Sequence, residues 1–63
     1  MARYRCILIG APGHIETFEL ECKADAEAIV AGRHMLADHA DHHAFELWRD
    51  TRRVHVELRE TAG

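Results

Sequence analysis

The spacing of hydrophobic residues changes twice along the chain. Near both ends, apolar and polar residues alternate, which is typical of strands with one buried face. In the middle, apolar residues such as Ala28, Ile29 and Leu36 recur at helical spacing on one broad side. The pattern predicts one helix and four strands, at about 25–40 for the helix and 3–9, 14–22, 44–49 and 53–59 for the strands.

These elements form the order ββαββ over a single domain spanning 1–63. The breakers at 10–13 indicate a hairpin loop, and Asp50 to Arg52 indicate a tight turn. We expect an α+β two-layer sandwich in which the helix packs on one face of a four-stranded, mostly antiparallel sheet. Residues 61–63 are expected to be a frayed end.

The register of the first hairpin follows from its two faces. Pairing Ile9 with Ile15 places Tyr4 opposite Leu20 on the core face and matches arginines with glutamates on the other face. In this register Cys6 and Cys22 are four positions apart along the ladder, about 13 Å at strand rise. A disulfide requires a much shorter separation, so we predict free thiols.

The helix and the second hairpin are predicted to complete the core. Asp25 is the expected N-cap, and Gly32 on the apolar side is expected to let the helix approach the sheet closely. The alternation of the last two strands predicts which side chains face the helix and which face away. The inward set is Phe45, Leu47, Val54, Val56 and Leu58, and the outward set is Glu46, Trp48, Arg53, His55 and Glu57.

The small size of the chain raises the question of how its core is stabilised. Sixty-three residues with 48% hydrophobic composition bury a limited surface, and folds of this size often need a staple, a metal or a second copy. The face opposite the helix is predicted to carry Ile7, Ile9, Ile15 and Trp48. It is either a solvated face with scattered apolar residues or the interface of a homodimer with Trp48 as anchor.

Charge and hydropathy limit the partners and the compartment. A net charge of −3 at pH 7, with cations spread along the chain, disfavours nucleic-acid binding. No apolar run approaches the roughly 20 residues of a membrane span, and no signal-peptide hydrophobic region precedes the first strand. We therefore expect no membrane association and a cytoplasmic location, where disulfides are rare.

Histidines are the candidate metal ligands. His39, His42 and His43 have spacings that one more helical turn would gather on one side, as an open Zn²⁺ site with a water as fourth ligand. A second possible set is His34, Asp38 and Asp41. The alternative is a polar, solvated helix end, where protonated histidine is favoured by the helix dipole.

Catalytic motifs are absent from the sequence. No CxxC, GxSxG, HExxH or glycine-rich phosphate loop occurs. Cys22, beside Lys23 and just before the helix, is the candidate reactive thiol, and its alternative is a small hydrophobic residue at a strand end. We expect a protein that is not an enzyme and needs no cofactor, Zn²⁺ apart.

Several segments together carry a family resemblance. They are the RYRC strand, the Gly/Pro turn, the helix entry E-C-x-A-D-A-E-A-I and the closing F-E-L-W-R-D-T-R-R-V. In these segments the chain resembles small uncharacterised ββαββ proteins of alphaproteobacteria. The resemblance implies a bacterial cytoplasmic protein of unknown function and no catalytic residue. The sequence thus predicts a homodimeric interaction module, with a metal-binding or pH-responsive protein as the alternative.

Overall fold

The structure, a computed structural model, describes residues 1–59. Its elements are β1 (Ala2–Gly10), β2 (His14–Cys22), α1 (Asp25–Asp38), β3 (His42–Arg49) and β4 (Arg52–Leu58). The strands form a single antiparallel sheet in the order β2-β1-β3-β4, with α1 on one face, which confirms the ββαββ sandwich. No helix within the described range is long and apolar enough to cross a bilayer. The frayed end predicted at 61–63 lies outside the described residues.

The register of the first hairpin is confirmed. Ile9 pairs with Ile15 and Tyr4 pairs with Leu20, so alternate residues of β1 enter the core. Cys6 lies opposite Phe18, whereas Cys22 lies opposite Ala2, and both thiols are free as predicted. The fully buried side chains of the core under the helix are Tyr4, Cys6, Leu8, Phe45 and Leu47.

Gly32 lies where α1 crosses β3. A Cβ atom at this position would be 2.6 Å from Cε2 of Phe45, closer than van der Waals contact allows. Ala28 and Leu36, one turn before and after Gly32, are buried on the same side of the helix. The absence of a side chain therefore sets the distance between helix and sheet, as the sequence indicated.

The start of α1 differs from the prediction. Ala24 occupies the N-cap position and makes no side-chain capping bond, while Asp25 is the first helical residue. The Asp25 carboxylate instead accepts a hydrogen bond from the Tyr4 hydroxyl at 2.5 Å, which raises the pKa of Tyr4. The predicted Asp25 N-cap is therefore wrong, because its side chain joins the helix to β1.

The carboxyl end of α1 is held by a residue that follows β4. The Arg59 guanidinium donates to the carbonyl oxygens of Leu36, His39 (3.0 Å) and His42 (2.9 Å). The last turn of the helix contains no basic residue of its own. Arg59 thus supplies from a distant part of the chain the cation that a helix end favours.

The facing of β4 also differs from the prediction. Trp48 pairs with Arg53 but Leu47 pairs with His55, so Val54 is an extra residue in the ladder. This β-bulge reverses the alternation of the remaining strand. The prediction is therefore wrong for four residues, since His55 and Glu57 lie on the helix side while Val56 and Leu58 lie on the opposite side and are exposed. Val54 itself packs against the core, as predicted.

Candidate functional site

The sheet side away from α1, here called the outer face, carries a continuous row of apolar residues. Ile15 pairs with Ile9, Ile9 with Ala44, and Ala44 with Leu58. This apolar row crosses all four strands. Its two ends are strongly exposed, with 61% of Ile15 and 71% of Leu58 accessible to solvent.

The next row of the outer face is mixed, since Ile7 pairs with Thr17 on one side and with Glu46 on the other, and Glu46 pairs with Val56. Ile7 lies beside Ile9 along the same face of β1, and Val56 beside Leu58 is 44% exposed. The four predicted interface residues, Ile7, Ile9, Ile15 and Trp48, do share this face. Val56 and Leu58 were missed, because strict alternation assigns them to the core and no sequence signal marks the bulge.

Charged residues of the outer face are sorted by strand. Glu19 and Glu21 lie on β2, opposite Arg5 and Arg3 of β1, so acidic groups occupy one margin of the sheet. At the other margin Arg53 of β4 pairs with Trp48. The Trp48 indole N–H donates to Glu46 at 2.9 Å, which holds the ring over β3.

A second constellation lies on the inner face, at the sheet end beyond α1. Gly10 of β1 pairs with His14 on one side and with His42 on the other. Since Gly10 has no side chain, the two imidazoles approach each other above it, with ring centroids 5.4 Å apart. Glu16 follows His14 by two positions on β2 and therefore lies on the same face.

The three side chains converge on a small volume. Oε1 of Glu16 is 3.4 Å from Nε2 of His14 and 3.6 Å from Nε2 of His42. All three ligand atoms lie within 4.8 Å of one another. Among residues 1–59, no other three potential ligand residues have their ligand atoms this close together.

His42 is the unusual member of this group. Its side chain is 5% exposed, yet neither Nδ1 nor Nε2 has a hydrogen-bond partner. Buried polar atoms in native proteins are nearly always paired, and leaving such a group unpaired costs about 1–3 kcal/mol. Both ring nitrogens of His42 therefore have unused capacity to bind a partner.

The predicted set His39, His42 and His43 is not gathered as expected. The helix ends at Asp38, so these histidines do not share a helical face. Nδ1 of His39 donates to the Met35 carbonyl at 2.7 Å, and its ring stacks edgewise on that of His42. His43 is an extra residue at a bulge of β3 and is exposed. Sequence reasoning missed His14 and Glu16, because their proximity to His42 depends on the pairing of β1 with β3.

The second predicted set is not assembled either. His34, Asp38 and Asp41 are all exposed and do not belong to a group of converging ligand atoms. Asp41 lies in the turn after the helix has ended, so its spacing from His34 no longer follows the helical period. As for His39, His42 and His43, the helix ends too early to bring the three side chains onto one face.

The environment of Cys22 opposes a reactive thiolate. Cys22 is 4% exposed, and burial together with the nearby Glu27 carboxylate raises its pKa. Burial raises the pKa of Cys6 to about 11. Both side chains belong to the hydrophobic core, which favours the alternative given for Cys22, a small hydrophobic residue at a strand end.

A groove of about 520 Å³ lies between α1 and β4. The charged residues of its walls are Arg33, Glu57 and Arg59. Arg33 Nε already donates to both carboxylate oxygens of Glu57, at 2.9 and 2.8 Å, and Arg59 is bound to helix carbonyls. Both guanidinium groups of the groove are thus already hydrogen-bonded to other groups of the chain.

Comparison with models of known protein families, with curated proteins and with solved structures found no match. The resemblance to small alphaproteobacterial proteins stays a prediction.

Proposed function

We propose that this protein is a non-enzymatic interaction module whose outer face binds a second copy of itself. The observation that supports the proposal is the apolar row, which runs from Ile15 to Leu58 with both ends exposed. Single exposed hydrophobic residues are ordinary on protein surfaces, whereas contiguous apolar patches mark interaction sites. Ile7 and Val56 add apolar area beside this row, on either side of Glu46.

The charges of the outer face favour a second copy as the partner. A two-fold axis parallel to the strands and midway between two stacked sheets places β2 opposite β4 and β1 opposite β3. Glu19 of one copy then faces Arg53 of the other, and Arg5 faces Trp48. The first pair is of opposite charge, and the second allows a cation–π contact. The same axis places the exposed ends of the apolar row, Ile15 and Leu58, against each other.

The size of the face is compatible with a stable interface. Four strands spaced by about 4.8 Å, each with about eight residues, make a face of roughly 500 Å² in projection. The accessible area of a side-chain surface exceeds its projection, and standard interfaces bury about 800 Å² per partner. A second copy would thus add burial that a core of this size lacks.

The proposed setting is the cytoplasm. Cys6 and Cys22 are free and buried, and a reducing compartment keeps such thiols reduced. A net charge of −3 supports a protein partner over a nucleic acid.

Sedimentation velocity on matched lysine variants tests the proposal. Ile15→Lys and Leu58→Lys place a charge at the ends of the apolar row, on side chains that are already exposed and contribute little to the monomer core. We expect a dimer for the unmodified chain at micromolar concentration and at least a tenfold weaker association for both variants. Val30→Lys is the control, because Val30 is 49% exposed on the helix, away from the outer face.

Charge exchange tests the two-fold arrangement itself. Arg53→Glu should weaken the dimer by placing Glu19 opposite a second acid, and adding Glu19→Arg should restore the association. A monomer at all accessible concentrations contradicts the proposal. If Val30→Lys disrupts the dimer and Ile15→Lys does not, the interface lies on the helix and the proposal is wrong.

A further inference from the structure

We propose that His14, Glu16 and His42 form a Zn²⁺ site. This site differs from the histidine set that the sequence suggests, and it lies on the opposite side of the sheet from the proposed dimer interface. The two proposals therefore stand or fall separately.

Two of the three distances among the ligand atoms match a zinc site, and the third, between the two imidazole nitrogens, is at most 4.8 Å. Zn²⁺ binds histidine nitrogen and carboxylate oxygen at about 2.0–2.2 Å, and a tetrahedron with these bond lengths separates its ligand atoms by about 3.3–3.6 Å. Glu16 Oε1 lies 3.4 Å from His14 Nε2 and 3.6 Å from His42 Nε2. Both separations fall within or next to that range without any movement of the backbone.

The unpaired ring of His42 is the second, independent observation. This imidazole is buried, and neither of its nitrogens contacts a donor or acceptor within hydrogen-bond distance. Its Nε2 faces the Glu16 carboxylate at a separation too long for a hydrogen bond. A metal ion between the two groups would accept the nitrogen lone pair and balance the carboxylate charge.

The backbone provides a fixed frame for the two imidazoles. His14 and His42 belong to β2 and β3, which both pair with Gly10 of β1. A Cβ atom at Gly10 would be 3.2 Å from Cδ2 of His42 and 2.9 Å from the carbonyl oxygen of Asp41. The space above Gly10 is thus required for the present position of His42. The bulge at His43 turns His42 to the inner face, beside His14.

The donor set favours one class of metal. Two imidazoles and one carboxylate suit Zn²⁺ and related transition-metal ions, whereas Mg²⁺ and Ca²⁺ prefer all-oxygen ligands. His42 is buried while the His14 and Glu16 side chains are 63% and 38% exposed, so the fourth position opens toward solvent. Three protein ligands with an open position make a site at which water or a side chain of a partner completes the coordination.

Calorimetric titration of the tag-free chain with ZnCl₂ tests this site. At about pH 7.5, where unperturbed histidines are neutral, we expect one Zn²⁺ per chain with micromolar or tighter affinity and no heat with MgCl₂. His14→Gln and Glu16→Gln change exposed side chains, so these variants should fold, and each should weaken Zn²⁺ binding at least tenfold. His34→Gln and His43→Gln are the matched controls and should bind as the unmodified chain does.

A second readout identifies the ligands directly. In NMR spectra of the histidine rings, Zn²⁺ should shift the signals of His14 and His42 and leave those of His34 and His55 in place. Absence of binding to the unmodified chain overturns the proposal. Binding that His43→Gln abolishes and His14→Gln does not would also overturn it, as would a stoichiometry of one Zn²⁺ per two chains, because the site assigned here lies within one chain.

Discussion

Gly32 and Phe45 set the contact between the helix and the sheet. Alanine favours a helix by about 1 kcal/mol over glycine, yet a Cβ atom at position 32 would overlap the Phe45 ring. This ring is fully buried and cannot move into solvent. We therefore expect Gly32→Ala to lower the free energy of unfolding by up to about 2 kcal/mol, since overpacking costs about 1–3 kcal/mol and the gain in helix propensity offsets about 1 kcal/mol of it. Urea denaturation measures this change.

A double-mutant cycle separates the two effects of this substitution. Phe45→Leu removes the ring atoms that the new methyl group would meet. In that background Gly32→Ala should become neutral or stabilising, because only the gain in helix propensity remains. A Gly32→Ala variant that is more stable than the unmodified chain with Phe45 intact would show that the ring yields at little cost.

The sequence predicts the structural role of Gly32 but not that of Gly10. Gly32 interrupts a helical pattern on its apolar side, which indicates a close approach from sequence alone. Gly10 stands next to Pro12 and Gly13 and is explained equally well by a turn. Its role between His14 and His42 depends on the pairing of β1 with β3, a contact between residues more than thirty positions apart. Local patterns contain no information on such a contact.

Among the elements, the helix depends on Arg59 for its carboxyl end. Hydrogen bonds from a charged donor contribute about 1.5–3 kcal/mol, and Arg59 donates to three carbonyls. We expect Arg59→Met to lower the free energy of unfolding by about 2 kcal/mol and Arg59→Lys by less, because lysine keeps the charge near the helix end. Circular dichroism during urea denaturation measures both. Arg52→Met, at an exposed strand position, is the control and should change stability by about 0.5 kcal/mol or less.

The ion pair between α1 and β4 gives the protein a pH dependence. Hydrogen bonds from Arg33 and, second, from His55 lower the pKa of Glu57. The unfolded chain then binds a proton at higher pH than the folded chain, so the contribution is complete above the ordinary glutamate pKa of about 4.3 and is lost as pH falls below it. Because both side chains are partly exposed, it should be below about 1 kcal/mol.

Glu57→Gln isolates this contribution. The unmodified chain should be more stable than the variant at neutral pH, and the difference in unfolding free energy should vanish as the pH is lowered toward 3, about one unit below the ordinary glutamate pKa. Asp38→Asn is the control, because Asp38 is exposed and makes no ion pair among residues 1–59. A difference that stays constant across this range would assign the effect of Glu57 to packing or to neutral hydrogen bonding.

The sequence predicts the helix and the strands well, but it predicts less well which residues of each strand face the helix. Alternation and breakers are local signals, and they predict the strands and the register of β1 and β2. The sequence of β4 still alternates through the bulge at Val54, but after the bulge the residues face the opposite side of the sheet. Strict alternation places Val56 and Leu58 on the helix side, whereas the bulge places His55 and Glu57 there, where Glu57 pairs with Arg33.

For the whole molecule, the consequence of the reversed strand is an apolar surface on both sides of one sheet. The helix covers the inner side, while Val56 and Leu58 join the uncovered outer face. If a second copy covers that face, the melting temperature should rise with protein concentration, by several degrees for each tenfold increase around the dissociation constant. Differential scanning calorimetry at several concentrations measures this rise. Ile15→Lys should remove it, and Val30→Lys should preserve it.

The row through Gly10 also has a consequence for the proposed Zn²⁺ site. The spacing between His14 and His42 is set by two hydrogen-bonded strand pairs, which together span about 9.6 Å of sheet and do not adjust as flexible loops do. The peptide of Gly10 forms a rigid floor of fixed width beneath the imidazoles. If Zn²⁺ binds at this site, only rotation of the His14, Glu16 and His42 side chains would adjust the distances between ligand atoms, since the strand spacing is fixed.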